Sequence, residues 1–208
     1  MNAAAVLCPG PSLVAYPGPA AYAPGCRVAV NRAAGRVACD FWVCLDAHTF
    51  RWVQEDFGGP VGSPVLVCEH SARNAILSEF PSAAEMVHLS VREIFPGPID
   101  GRVVWRPYGF AVAIVLAADL TAPPAGRPRR IDCWGIDWSG LADFDGFSHQ
   151  SQKRGANRWA KDRDTLHRLT RLLAADGVEL VRRGVKQPEN TPAPSAGVEV
   201  EREKCLRI

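Results

Sequence analysis

What the 208-residue sequence lacks narrows its class first. No apolar run reaches the roughly 20 residues that a bilayer-spanning helix needs. The N-terminus has no basic stretch followed by a long apolar one, so no signal peptide is expected. Charge of one sign is missing too. The 24 basic and 22 acidic residues leave a formal net charge of +2. That is too little to draw the chain electrostatically to nucleic acid or to a membrane surface, and neither is an expected partner. Paired cysteines are absent. The seven that exist, at positions 8, 26, 39, 44, 68, 133 and 205, form no CxxC unit. This argues against a disulfide framework and a structural zinc site, and for a reduced, cytoplasmic setting. Cys8, Cys44, Cys68 and Cys133 fall in or beside apolar runs, where cysteine behaves as a small hydrophobe. GxSxG, HExxH and Walker signatures are also missing, so serine hydrolase, zinc protease and P-loop kinase readings have no support. No internal repeat is present.

The 47% hydrophobic share suits a globular protein, and the length suits one domain with a full core. Short buried strands are expected at Ala3 to Leu7, Arg27 to Asn31, Asp40 to Asp46, Pro64 to Glu69, Glu85 to Val91, Ile131 to Asp137 and Val178 to Val181. Helices are expected at 47–57, 71–80, 109–120 and 155–176. The third is apolar nearly all round, which marks it as buried; the fourth is amphipathic, with Gly177 as its stop signal. The segment 14–25 is too rich in proline and glycine for more than a short helix, and 102–105 is a candidate brief strand within the irregular stretch 92–107. Strands alternating with helices imply an α/β fold: a Rossmann-like, mostly parallel sheet with helices on both faces, in a single domain. The domain is expected to span 1–185, with 186–208 as a flexible C-terminal tail.

In such a sheet all strands deliver their carboxyl ends to one edge, where ligands bind. Pro9-Gly10, Asn31, Asp46, Glu69 and Asp137 would stand along it. Strand ends are also where polar residues stay hydrated at no cost, so each position has an ordinary explanation beside the functional one. The first turn, Pro9-Gly10-Pro11-Ser12, stands out. Gly10 lets a ligand approach the backbone, Ser12 can cap the next segment or offer its hydroxyl, and the amides beyond it can face an anion.

The polar loop 138–154 has the length of a lid or binding loop. It carries Asp143-Phe144-Asp145, a spacing that suits Mg2+ or Mn2+ against a diphosphate but also arises by chance in solvated loops. Among the histidines, His149 lies in this loop, and His48 and His70 follow strands at the ligand edge. His88 and His167 read as structural or exposed.

The ordered set GPSL (10–13), VAVNRA (28–33), DFWVCLD (40–46), YGFAVAIVLAADL (108–120) and IDCWGIDWS (131–139), then a long helix and GVELV (177–181), resembles a known family. It is the 6-hydroxymethylpterin diphosphokinase MptE-like family, and the small bacterial sialyltransferases that share its Rossmann-like architecture are similar. The resemblance covers roughly residues 3–183. It places Gly10, Pro11, Ser12 and Asn31 near the phosphates of a nucleotide donor and Gly109 near the nucleoside. Gly135 and Asp137 correspond to the family's Gly-x-Asp at the end of the central strand. Two positions depart from the pattern: Cys8 stands for the first glycine, and Pro9 for a position often held by Asn, which removes an amide and a side-chain donor.

The resemblance implies a transferase using a nucleotide or nucleotide-sugar donor and a small-molecule or glycan acceptor, with sialyltransferase-like glycosyl transfer first. His149, just ahead of the long helix, is then the candidate base. An ATP-dependent diphosphokinase is the alternative; it would require Mg2+, with Asp143 and Asp145 as candidate ligands, whereas the sialyltransferase relatives need no metal. A non-catalytic nucleotide-binding module is a third reading, favoured by Pro9.

Overall fold

The computed structural model describes residues 3–91, 109–120, 129–137 and 156–184. Seven strands run β1 (Ala3–Leu7), β2 (Arg27–Val30), β3 (Phe41–Val43), β4 (Val65–Cys68), β5 (His88–Ser90), β6 (Arg129–Trp134) and β7 (Val178–Arg182). The four described α-helices are α1 (Ala47–Phe57), α2 (His70–Glu79), α3 (Gly109–Leu120) and α4 (Ala156–Ala175). One sheet holds all seven strands in the order β5-β4-β3-β2-β1-β6-β7. Every pairing is parallel, so the expected Rossmann-like α/β architecture is present, and the sheet is wholly parallel over the described residues.

The strand order explains the layers. From β1 the chain steps outward to β5, then returns to lay β6 on the other side of β1. Right-handed crossovers in opposite directions deliver their connections to opposite faces of the sheet. One face carries Val6, Val28, Val30, Val43, Ile131 and Cys133 under α3 and α4. The other carries Leu7, Ala29, Trp42 and Leu66 under α1, α2 and short 3-10 turns. Ala111, Ala113 and Ala117 of α3 are buried, which lets this nearly all-apolar helix lie close to the strands. The first two crossovers contain no α-helix. Pro11 and Pro19 each open a short 3-10 turn, at Pro11–Ala15 and Pro19–Ala21, in a stretch where prolines remove helical amide donors.

The strands are shorter than the apolar runs. The run 40–46 contributes only Phe41–Val43, because Asp40 and Asp46 serve its two ends. Asp40 accepts from Arg27 Nε at 2.7 Å, a link between β2 and β3 at the amino edge. Asp46 caps α1, accepting from the Thr49 amide at 2.7 Å and from Thr49 Oγ1 at 3.1 Å.

β6 also carries a charge the apolar reading of 131–137 does not explain. Asp132 is buried, and accepts from Tyr22 Oη at 2.9 Å, Arg130 Nη2 at 3.0 Å and Arg183 Nε at 2.9 Å. Tyr22 Oη in turn accepts from Trp134 Nε1 at 3.0 Å. Burial, then the nearby Asp132 carboxylate against the Trp134 bond, holds the Tyr22 hydroxyl protonated, its pKa pushed up to about 12. The cluster staples the proline-rich crossover to β6 and β7. Replacing Asp132 with Asn should lower the unfolding free energy by about 2 kcal/mol in urea titration, since hydrogen bonds to a buried charge are lost and the two arginines can partly rehydrate. Arg51→Ala, which removes the exposed pair with Glu79, should leave the midpoint nearly unchanged.

Candidate functional site

The sheet's chain reversal lies between β1 and β6, and ligands of open α/β sheets bind outside the strands' carboxyl ends at such a point. Here the two strand ends are bonded to each other. Cys8 N–H donates to Trp134 O at 2.8 Å, and Gly10 N–H to Gly135 O at 3.0 Å. Ser12 N–H donates to Asp137 Oδ2 at 2.6 Å, and Ser12 Oγ accepts from Gly135 N–H at 3.1 Å. The structure therefore brings Gly10, Pro11, Ser12, Gly135 and Asp137 together, as the sequence places them. Their chemistry differs from a phosphate cradle. Pro9 and Pro11 have no N–H, and the Gly10, Ser12 and Leu13 amides are all committed within the protein. The carboxylate of Asp137 stands where an anion would.

The two glycines are explained by this contact. A Cβ on Gly10 would overlap Gly135 O and lie 2.5 Å from Asp137 Oδ2. A Cβ on Gly135 would overlap Cys8 O, and its φ of +72° is left-handed besides. Arg182, at the end of β7, closes the group by donating from Nη2 to Ile136 O at 2.6 Å. Burial lowers its pKa against the opposing pull of Asp137. Burial pushes the Cys8 thiol well above its ordinary value, with Cys133 and Asp137 adding to the effect, as for a cysteine packed in a core.

The other half of the edge lies over β2 and β3. Asn31, directly after β2, has φ 52° and is the one non-glycine residue with positive φ among those described. Its carbonyl accepts from the buried Trp42 Nε1 at 2.9 Å. Its Oδ1 lies 3.7 Å from where a Cβ on Gly109 would stand, and that Cβ would press to 2.9 Å from Val30 Cγ1. Gly109 opens α3, so the absent side chain lets the helix start close against β2, beside Asn31. No acidic residue occupies the first turn of α3. Asn31 and Gly109 thus meet at the carboxyl edge, while Asp46, exposed, is used as the cap of α1.

His149, Asp143 and Asp145 lie outside the described residues. Within those described, no group of three or more His, Cys, Asp or Glu side chains is placed to hold a metal ion. His48, His70 and His167 are exposed on helices. Two residues of this edge are not among the site residues that the sequence suggests. Trp42 could be suspected because an indole in a buried strand needs an acceptor for its N–H. Arg182 could be suspected as a cation closing a buried strand. Comparisons with protein-family models, curated proteins and solved structures give no match to this chain.

The stitched turns yield a stability prediction. Gly135→Ala should cost at least about 2 kcal/mol in urea titration, from left-handed strain plus overlap with Cys8 O. Gly25→Ala, at φ +83° with nothing within 4 Å, should cost only the strain, about 1–2 kcal/mol. Equal losses at the two positions would mean that β1 and β6 do not depend on their close approach.

Proposed function

We propose that this chain is a transferase that binds a nucleotide-activated donor at the carboxyl edge of its sheet, with sialyltransferase-like glycosyl transfer as the reaction. The observation that carries the reading is the pairing of Asn31 with Gly109. A non-glycine residue held in the left-handed region is strained, and such residues gather at ligand sites. The start of an α-helix carries partial positive charge, which suits a donor phosphate. The phosphate is thereby assigned to the start of α3 and Asn31. The first turn supports the sheet beneath it. The committed amides of that turn weigh against a phosphate cradle there.

In glycosyl transfer the acceptor hydroxyl oxygen bonds to the anomeric carbon as the sugar–phosphate bond breaks. The bond's electron pair leaves with the nucleotide, and a base takes the hydroxyl proton. His149 is the residue proposed for that base, as imidazole titrates near neutrality.

Thermal shift with CMP, UDP, GDP and ATP tests the reading. A nucleotide at 100 times its Kd adds about 2.7 kcal/mol of stability, and for a chain of this size each kcal/mol raises Tm by about 2–4 °C. At least one should bind, and chelation of magnesium should leave the shift intact. A shift seen only with ATP and magnesium would favour the diphosphokinase instead, and no shift with any nucleotide would remove the donor site. Once a donor is turned over, His149→Ala should lower kcat by about 10²–10⁴-fold and change donor affinity only a few-fold. His48→Ala and His167→Ala serve as controls; loss of activity in His48→Ala with full activity in His149→Ala would move the base to the end of β3.

A further inference from the structure

We infer that Trp42 is a positioning residue of the donor site: its indole N–H holds Asn31 in the left-handed conformation that presents the Asn31 side chain at the start of α3. The inference rests on the donor-site reading just given. Trp42 is fully buried on the face of the sheet opposite α3, stacked on Phe50 with ring centroids 5.0 Å apart and planes at 22°. A buried indole must place its N–H on an acceptor. The acceptor here is the carbonyl of Asn31, 2.9 Å away, at the residue where β2 stops and the chain turns into the 3-10 segment Asn31–Gly35.

The two requirements support each other. A side chain other than glycine in the left-handed region is unfavourable, though Asn tolerates it better than most. Rotating Asn31 back to an extended conformation would swing its carbonyl away from Trp42 and leave the indole unsatisfied in the core. The bond therefore links the packed layer under α1 to a side chain at the ligand edge, across the end of β2. Asn31 Oδ1 ends near Gly109, 3.7 Å from where a Cβ there would stand, and the missing Cβ lets the helix start close against Val30 of β2. Trp42 touches no ligand; its part is to fix the shape of a group that does.

The test separates packing from positioning. Trp42→Phe keeps a stacking ring and removes the N–H. Should it fail to fold, 3-benzothienylalanine at position 42 keeps the bicyclic shape and likewise lacks the N–H. Phe50→Leu is the packing control. The side-chain amide resonances of Asn31, identified by their loss in Asn31→Asp, should shift in either Trp42 variant and stay in place in Phe50→Leu. The Kd for whichever of CMP, UDP, GDP or ATP binds the native chain should rise about tenfold or more in the Trp42 variants, a change of about 1.4 kcal/mol, and less than about threefold in Phe50→Leu. Unmoved Asn31 resonances overturn the inference, as does an unchanged Kd where the resonances have moved. If none of the four nucleotides binds the native chain, the donor-site reading fails, and the resonances alone then decide whether Trp42 holds Asn31.

Discussion

Backbone meets backbone at Gly10 and Gly135 with no side chain between them, and the rest of the molecule depends on that approach. β1 is the strand at which the chain reverses its direction of travel across the sheet. Its end and the end of β6 lie so close that a methyl group on either glycine would overlap the other turn. The main-chain bonds made there bring Ser12 and Asp137 together, and Arg182 joins them from β7. Turns that in other open sheets stand apart around a ligand are here drawn into one rigid block. What the edge can offer a ligand among the described residues is therefore displaced toward β2, β3 and the start of α3.

Much of the fold can be read from apolar runs. The run Ala3 to Leu7 is buried throughout, as a central parallel strand must be. The stretch 109–120 becomes a buried helix because its length exceeds a strand and its alanines permit close packing. Strand limits are less legible, since an apolar run does not announce where its flanking carboxylates will be used. Asp40 and Asp46 belong to a salt link and a helix cap, both set by tertiary partners. Asp132 is invisible as a buried charge because its partners come from three separate parts of the chain.

The candidate site is legible in a similar, uneven way. Pattern reading places Gly10, Ser12, Gly135 and Asp137 at one edge, and they do meet there. It does not show that they satisfy one another, because hydrogen-bond partners 123 and 125 residues apart are a matter of geometry. Asn31 and Gly109 lie far apart in sequence as well, yet each has a visible sign: a polar residue closing a buried strand, and a glycine opening an apolar helix. Trp42 carries no such sign. Its influence depends on a single bond whose acceptor is a main-chain carbonyl, a group every residue has.

The place of β1 also bears on how the chain reaches this state. Its first neighbour, β2, comes within a few tens of residues, with Ala5 beside Arg27, but its second is β6, with Ala3 beside Arg130. A chain made from its N-terminus can pair β1 through β5 early, yet one side of its central strand stays unmatched until β6 has been synthesised. Contacts of such long sequence separation slow folding, since the loop between them must be closed before they form. During that interval the open side of β1, a strand that carries Ala4 and Val6, is an exposed apolar edge of the kind that recruits foreign strands. The open side of β1 is covered only once β6, which ends at Trp134, has been made and paired with it.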